Sequence, residues 1–313
     1  MSEKSENAKI FKSGFVGIIG KPNVGKSTLL NALVGQKIAI ISPKPQTTRG
    51  KVLAIMTDDD SQIVFLDTPG FHKPKNKLGQ TMIRAVNDTI ADVDMLVLVV
   101  EPDEVSNGAE RAIMDKIGDI PCILVINKAD TVRHDELLPV IRFYSELHSF
   151  NDIIPVSAKR GDGIDELKEL LKSSLDEGPM FYPEDMITDQ QEKQVVSEII
   201  REKTLRLLDK EVPHGIAVEV VMMKYNGDDR KPAYNISANI YCEKSSHKGI
   251  IIGAGGTMLK RIGTQARIDC EKMLDAKVYL ELWVKVKQDW RNSDSLMREL
   301  GITDDNKTDI SDI

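Results

Sequence analysis

A glycine-rich segment near the start of the 313-residue chain has the spacing of a phosphate-binding loop. It reads Gly20-Lys-Pro-Asn-Val-Gly25-Lys26-Ser27 and fits the pattern GxxxxGK[ST]. Glycines let backbone amides curl around phosphate oxygens, where a Cβ would obstruct them. Lys26 is expected to contact the β and γ phosphates of a nucleotide, and the Ser27 hydroxyl to bind Mg²⁺. The predicted phosphate-binding residues are Gly20, Asn23, Val24, Gly25, Lys26, Ser27 and Thr28.

Two further segments supply metal and γ-phosphate contacts. Asp67-Thr-Pro-Gly70 follows an apolar run, so its carboxylate can reach Mg²⁺ through water and the Gly70 amide can face a γ-phosphate. Gln46-Thr47-Thr48-Arg49 lies in a loop rich in Pro and Ser. A threonine there can join Mg²⁺ when a γ-phosphate is present and leave it after hydrolysis. We favour Thr48 over Thr47, which makes Ser27, Thr48 and Asp67 the predicted metal site.

The base is predicted to be guanine. In Asn127-Lys128-Ala129-Asp130, the last carboxylate can accept hydrogen bonds from the N1 and N2 donors of guanine. Adenine lacks that pattern and leaves Asp130 unpaired, a penalty that can discriminate by roughly 10⁴ or more. Lys128 is expected to pack along the base plane. A third segment, Ser157-Ala158-Lys159, can close the base pocket through the Ala158 amide.

Hydrolysis is expected to be slow. Phe71 follows Gly70 at the position where a Ras-type enzyme has a water-orienting glutamine, and an aromatic ring cannot orient water. His72 comes next and is a loop histidine in our interpretation. Catalysis therefore depends on Lys26, Thr48, Gly70, Mg²⁺ and the loop amides.

The elements that position these motifs alternate along the first half of the chain. Short runs rich in Val and Ile predict buried strands, and amphipathic stretches between them predict helices. This order predicts an α/β fold with a doubly wound parallel sheet, whose ligands bind at the carboxyl ends of the strands. The predicted strands are Phe15–Gly20, 63–66, Met95–Val100, Cys122–Ile126 and 153–156.

A change of pattern marks a second domain. Residues 177–187, with two prolines and a glycine, predict a linker. Thr188 and Gln191 then predict a capping box that opens a helix. The order that follows is α-β-β-α-α-β. The predicted boundaries are a disordered segment 1–12, a nucleotide domain 13–176, the linker, a second domain 188–293 and an acidic tail 294–313, whose end is expected to be mobile.

The second domain contains a GxxG loop, Gly253–Gly256, between two predicted helices. Such a loop approaches a sugar–phosphate backbone closely, and the apolar groove beside it holds about four single-stranded nucleotides. Ten basic and five acidic residues between Lys244 and Arg291 give this segment a charge of +5 within a chain of net charge −7. The predicted RNA contacts are Lys248, Gly249, Ile252, Gly253, Ala254, Gly255, Gly256, Lys260 and Arg261.

Composition excludes several other classes of protein. The three cysteines have no CxxC spacing and their number is odd, which argues against a disulfide framework or a zinc site and suits a reducing cytosol. No apolar run approaches the roughly 20 residues that span a bilayer. The first residues carry charges of both signs without an apolar segment, so we expect no signal peptide.

The motifs together resemble the bacterial ribosome-assembly GTPases of the translation-factor-like class. The resemblance depends on GKPNVGKSTLLN, QTTR, DTPGFHKPK, NKAD, SAK, YPEDMITDQ, EVPHGIAVEV and KGIIIGAGGTMLKRIG. It implies a Ras-like GTPase domain, a type II KH domain, and binding to the 3′ end of 16S ribosomal RNA during maturation of the 30S subunit. It further implies peripheral membrane contact in some members. We also expect a cytoplasmic location, a monomer and no DNA partner. Many relatives have a basic residue where Ala254 stands, so this loop is expected to lack one phosphate contact. The expected cofactors are GTP, GDP and Mg²⁺. Asn23 matches the asparagine through which related GTPases coordinate potassium, which makes potassium stimulation a further hypothesis.

The leading hypothesis is a GTP-hydrolysing switch that gates RNA binding. A small-molecule kinase or ATPase with the same phosphate loop is the first alternative, and Asp130 argues against it. An RNA-binding adaptor with an inert nucleotide site is the second. The intact set of Lys26, Ser27 and Asp67 argues against that alternative, although Phe71 is compatible with it.

Overall fold

The computed structural model describes residues 11–71, 74–103, 108–209, 212–228, 231–300 and 302. The first domain is built on a six-stranded sheet in the order β2-β3-β1-β4-β5-β6. All neighbouring strands are parallel except β2 and β3, which are antiparallel. The strands are β1 (Lys12–Gly20), β2 (Val52–Asp58), β3 (Ser61–Asp67), β4 (Met95–Val100), β5 (Cys122–Ile126) and β6 (Asp152–Pro155).

Helices cover both faces of this sheet. Successive strand residues point to opposite faces, so Val97 joins one apolar core and Leu98 the other. Burial on both faces explains why the central strands are continuous apolar runs rather than alternating ones. The helices are α1 (Lys26–Val34), α2 (Lys77–Ala91), α3 (Gly108–Ile117), α4 (His134–Leu147) and α5 (Ile164–Ser174).

The predicted α/β class is confirmed, but the sheet is not parallel throughout. β2 was not predicted, and it pairs antiparallel with β3 from Val52 to Asp58. The two strands form a hairpin around Asp59 and Asp60. The acidic turn between two apolar runs is a hairpin signal that the sequence interpretation missed.

The second domain has the predicted order of elements. It consists of α6 (Glu192–Leu207), β7 (Ala217–Tyr225), β8 (Ala233–Cys242), α7 (Ser245–Ile252), α8 (Thr257–Leu274) and β9 (Lys277–Val286). The sheet order is β7-β8-β9, with β7 and β8 antiparallel and β8 and β9 parallel. One face of the sheet packs against the helices through a buried apolar core.

The linker lies against the edge of the first sheet. The Ile55 amide donates to the Ile187 carbonyl at 2.8 Å, and the Gln62 side chain bonds the backbone of Phe181 and Tyr182. Thr188 donates its hydroxyl to a β2 carbonyl at 2.6 Å. The predicted capping box is therefore wrong, and α6 begins at Glu192.

The chain that follows β9 returns to the first domain. Helix α9 (Asp294–Glu299) opens the predicted acidic tail, and Ser293 caps it. Met297 and Trp290 pack in a small apolar core between the domains, whose other buried members are Leu78, Met82, Ala217 and Tyr241. At the other end of the chain, β1 already begins at Lys12, inside the predicted disordered segment. Residues 1–10 of that segment and residues 303–313 of the tail lie outside the described residues.

Among the helices of the described residues, none is both long enough and apolar enough to cross a membrane.

Candidate nucleotide site and RNA interface

The phosphate loop joins β1 to α1, and its lysine is turned inward. Lys26 is 6% exposed, and its Nζ donates to the Gly20 carbonyl at 3.1 Å and the Lys21 carbonyl at 2.9 Å. Burial lowers the pKa of Lys26 to about 8. A phosphate anion at this point favours the ammonium form, so the loop is poised to bind one. Within the loop, Val24 is buried, and Thr28 is half-buried in the first turn of α1.

The three predicted metal ligands form one hydrogen-bonded cluster. Ser27 Oγ lies 2.7 Å from Asp67 Oδ2 and 2.9 Å from Thr48 Oγ1, and Thr48 Oγ1 lies 3.3 Å from Asp67 Oδ2. Asp67 Oδ1 is buried without a hydrogen-bond partner among the described residues, and burial raises the pKa of this carboxyl. Three oxygen donors and an unpartnered carboxylate oxygen fit a hard cation such as Mg²⁺.

Thr47, the alternative to Thr48, points away from this cluster. Its hydroxyl donates to the Lys44 carbonyl at 2.6 Å.

Gly70 lies against the phosphate loop. A Cβ at Gly70 would stand 2.6 Å from Pro22 Cα, so only glycine allows this approach. The next amide, of Phe71, donates to the Gly20 carbonyl at 3.1 Å. The Phe71 ring faces Lys116 of α3, with 5.5 Å between Nζ and the ring centroid. His72 lies outside the described residues.

The predicted base-binding residues meet at the ends of β5 and β6. The Asn127 amide group donates to the Val24 carbonyl at 2.8 Å and accepts from the Ala158 amide at 3.0 Å, which joins both motifs to the phosphate loop. Lys128 Nζ donates to the Asn23 carbonyl at 2.9 Å and also pairs with Glu101.

Asp130 is held as an ionised acceptor. Ser157 Oγ donates to Asp130 Oδ1 at 2.7 Å, and Arg160 Nε lies 3.3 Å from Oδ2. The hydrogen bond from Ser157 lowers the pKa of Asp130, and the Arg160 guanidinium acts in the same direction. A carboxylate that offers only acceptors suits the paired donors of guanine. Lys159 is exposed at the rim.

Two buried arginines join the second domain to the loop that carries Thr48. Arg201 of α6 is 2% exposed and donates to the Thr47 carbonyl. Arg49 is buried, donates to the Ile216 carbonyl at 2.6 Å, and lies 5.2 Å from the centroid of the Trp290 ring. Residues on both sides of Thr48 are therefore fixed by the other domain. These contacts were not predicted, because lone arginines are typical of solvated surfaces.

The GxxG loop has the backbone that its glycines allow. Gly253, Gly255 and Gly256 adopt φ of +74°, +57° and +79°. A Cβ at Gly253 would stand 2.8 Å from Met258 Cβ, whereas the space above Gly255 and Gly256 is open for 4 Å. Open glycines at the end of a helix allow close approach of a phosphate backbone. Nearby, Lys248, Gly249, Ala254, Lys260 and Arg261 are exposed, and Ile252 is half-buried.

A groove of about 390 Å³ runs from this loop between α8 and β9. Leu259, Gly263, Leu280 and Leu282 give it an apolar floor, and Lys260 and Arg267 line it with positive charge. Apart from Lys260 and Gly256, these residues were not predicted. The sequence signal for Leu280 and Leu282 was the alternation of β9, because apolar residues on the inward face of a strand must either join the core or line the space beside the helices.

The fold and the two sites define the class: a P-loop GTPase domain followed by a KH domain. Residues 15–128 match the family model described as 50S ribosome-binding GTPase, and residues 211–291 match the KH domain model. The chain is 54% identical to GTPase Era of Clostridium kluyveri over 93% of its length and 99% of that protein. Identity to GTPase Era of Clostridium botulinum (strain Langeland) is 51%, over 93% and 98%.

Two solved structures are similar over the whole fold. One is Era in complex with MgGDPNP and nucleotides 1506–1542 of 16S ribosomal RNA, at 40% identity and a TM-score of 0.89, covering 94% of this chain and 99% of that one. The other is a point variant of Aquifex aeolicus Era bound to GDP·AlF4⁻, also at 40% and 0.89, covering 94% and 100%. The chain belongs to the Era family of GTPases.

Proposed function

We propose that this GTPase binds and slowly hydrolyses GTP, that its KH domain binds the 3′ end of 16S ribosomal RNA during assembly of the 30S subunit, and that the nucleotide controls the RNA site. The observation that carries this coupling is the position of two neighbouring residues. Thr48 lies in the hydrogen-bonded cluster with Ser27 and Asp67, while the Thr47 carbonyl is bound by Arg201 of the second domain.

In this proposal the GTPase domain acts by placing charged and hydrogen-bonding groups around the nucleotide. Lys26 neutralises the β and γ phosphates, the Gly70 amide contacts the γ-phosphate, and Asp130 selects guanine. Ser27, Thr48 and Asp67 would hold Mg²⁺, which supplies charge neutralisation on the phosphates when bound. Phe71 stands at the position of the water-orienting glutamine, its ring faces Lys116 of α3, and an aromatic ring cannot orient water. Slow turnover follows from that arrangement.

The RNA would lie in the groove between α8 and β9. Its phosphates would follow the open glycines and Lys248, Lys260 and Arg267, and its bases would contact the leucine floor. Because Ala254 is uncharged, the loop has one positive charge fewer than the loops of relatives with a basic residue at this position. The ligand is proposed from the relative that was solved with nucleotides 1506–1542 of 16S ribosomal RNA.

GTP turnover with and without a short RNA of the 16S 3′ end tests the proposal, with Lys26→Ala as the control. We expect slow hydrolysis that the RNA stimulates and that the variant abolishes. Turnover that ignores an RNA shown to bind would leave two working sites but refute the coupling between them. Absence of turnover in the wild type under both conditions would favour the adaptor hypothesis.

A monomeric state, a cytoplasmic location and peripheral membrane contact also remain proposals. Sedimentation velocity of the full chain and flotation with vesicles of anionic lipid test the first and the last of these directly.

A further inference from the structure

Two exposed aromatic rings on the KH sheet are not used by either site described above. Tyr279 and Trp283 of β9 are 54% and 61% exposed. They share one face because strand side chains alternate, whereas Val278 and Val284 of the same strand point into the core. Rings exposed to this degree on one face of a sheet mark a binding surface more often than scattered apolar residues do.

The middle strand leaves both rings uncovered. β8 places Asn235 opposite Tyr279 and Asn239 opposite Trp283, with Ser237 between them opposite Glu281. These side chains are too short to shield a ring. At the Tyr241 end of the same face, Ala217 of β7 and Tyr241 of β8 are covered by the small interdomain core, whereas Lys285 of β9, opposite Tyr241, is exposed. The face is therefore open around the two rings and along β9.

The charge around the rings suits a nucleic-acid strand. The open face carries three lysines and two glutamates: Lys224, Lys277, Lys285, Glu219 and Glu281. Glu219 accepts a hydrogen bond from the Tyr241 hydroxyl at 2.6 Å. Glu281, between the rings, repels phosphate but can accept hydrogen bonds from base amino groups. Phosphates would therefore follow the lysines, and bases would follow the rings.

β9 connects this face to the RNA groove. It is an edge strand of the sheet, and its Leu280 and Leu282 form part of the groove floor. A single strand that leaves the groove across this edge reaches Tyr279 and Trp283 without crossing another element of the sheet. Exposed aromatic rings beside positive charge are what sequence-tolerant binding of single-stranded nucleic acid uses.

We propose that Tyr279 and Trp283 form a base-stacking platform for single-stranded RNA that continues from the groove. The proposal rests on the proposed RNA function and extends it to a second surface. A KH groove holds about four nucleotides, whereas the solved Era complex contains nucleotides 1506–1542. A segment of that length extends well beyond one groove.

The test compares two single-stranded RNAs on the full chain, one of about 5 nucleotides that fills the groove and one of about 12 that also reaches the platform. Trp283→Leu keeps an apolar side chain but removes stacking, and Trp283→Phe keeps a ring. We expect the Leu variant to lose about tenfold in affinity for the longer RNA and nothing for the shorter one. The Phe variant should stay within about threefold of wild type.

A spectroscopic readout tests the contact itself. The chain has two tryptophans, and Trp290 is buried, so quenching of the exposed tryptophan by the longer RNA reports stacking on Trp283. Trp283→Phe should remove the quenching without removing binding. Leu138→Ala, at an exposed apolar residue of α4 in the other domain, is the matched control and should change neither.

The outcomes separate the two levels of the proposal. Failure of wild type to bind either RNA would refute the proposed RNA function. Binding of the shorter RNA, with no effect of Trp283→Leu on the longer one, would refute the platform alone. Equal losses in the Leu and Phe variants would also refute stacking, because the RNA would then depend on the indole N–H rather than on an aromatic ring.

Discussion

Replacing Arg201 with methionine tests whether the second domain is coupled to the nucleotide site through the loop that carries Thr48. The arginine is 2% exposed, and its guanidinium donates to the Thr47 carbonyl and, through Nε at 2.8 Å, to Glu198. Methionine fills much of the same volume and bonds neither. Glu198 is partly exposed and can be hydrated instead, so the main loss is the hydrogen bond to Thr47.

The size of the effect follows from that bond. A hydrogen bond with a charged donor contributes about 1.5–3 kcal/mol, and each 1.4 kcal/mol corresponds to a factor of about ten in an equilibrium. If RNA acts on the nucleotide site through this contact, the stimulation of GTP turnover by RNA should fall about tenfold or more. Basal turnover without RNA should stay within about threefold of wild type, because Lys26, Ser27 and Asp67 are untouched.

The assay is single-turnover GTP hydrolysis with and without saturating RNA. Asp209→Ala is the matched control, since the Asp209–Lys44 pair also joins the domains at 2.8 Å but Asp209 is 86% exposed. Exposed pairs contribute only about 0–1 kcal/mol, so this variant should keep most of the stimulation. Thermal unfolding should show both variants folded, with Arg201→Met lower in Tm by a few degrees.

Full stimulation in a folded Arg201→Met variant would refute the reasoning, because the carbonyl contact would then carry none of the coupling. A variant that loses basal turnover as well would show that Arg201 holds the nucleotide site itself rather than transmitting a signal to it.

Substitutions elsewhere in the two sites test four other assignments. Asp130→Asn should weaken GTP binding about a hundredfold or more and favour xanthosine triphosphate, since the amide offers a donor where the carboxylate had only acceptors; an unchanged GTP affinity in a titration would contradict the guanine assignment. Because burial lowers the pKa of Lys26 from 10.5 to about 8, the unfolded chain binds more protons between those pH values, and the nucleotide-free protein should gain stability as pH rises through that window. Lys26→Met should abolish this rise in urea unfolding, and an identical rise in the variant would assign it elsewhere. Lys248→Ala and Lys260→Ala should each reduce the salt slope of RNA binding by about 0.7 per lost phosphate contact, and unchanged slopes would move the RNA surface. GTP turnover should be faster in potassium than in sodium chloride at equal strength, with Asn23→Ala removing the difference; equal rates in wild type would reject a potassium site.

Much of the nucleotide site could be predicted because its motifs are local. The phosphate loop, Asp67, Asn127 and Ser157 come after strands whose apolar runs are visible, and parallel strands bring their carboxyl ends to one edge. The contact of Ser27 with Asp67 follows from that rule. Thr48 lies in the loop between α1 and β2 and was predicted from its residue type and its place between the two motifs. The same locality predicted the order of elements in the KH domain. β2 was missed although its apolar run from Val52 to Met56 is as long as that of β5, because the acidic turn at Asp59 and Asp60 was not recognised as the link of a hairpin.

The interdomain contacts could not be predicted from local pattern. Arg201 and the Thr47 carbonyl are 154 residues apart in sequence, and Arg49 and the Ile216 carbonyl are 167 apart. Nothing near Arg49 or Arg201 distinguishes it from a surface residue. The start of the acidic tail could not be predicted either. Its composition favours a solvated segment, but Met297 packs in the core between the domains and holds helix α9 there.

The backbone of the loop that carries Thr48 provides a route by which loss of the γ-phosphate would change the position of the KH domain. Thr47 and Thr48 are adjacent, so one peptide separates the carbonyl that Arg201 binds from the hydroxyl that contacts Ser27 and Asp67. Arg49, the next residue, is fixed to Ile216 at the start of β7 and to Trp290 beyond β9. Displacing Thr48 must therefore strain or break contacts that hold both edges of the KH sheet. If the bound nucleotide changes the affinity of the KH domain for RNA by some factor, linkage requires that the RNA change the affinity for that nucleotide by the same factor.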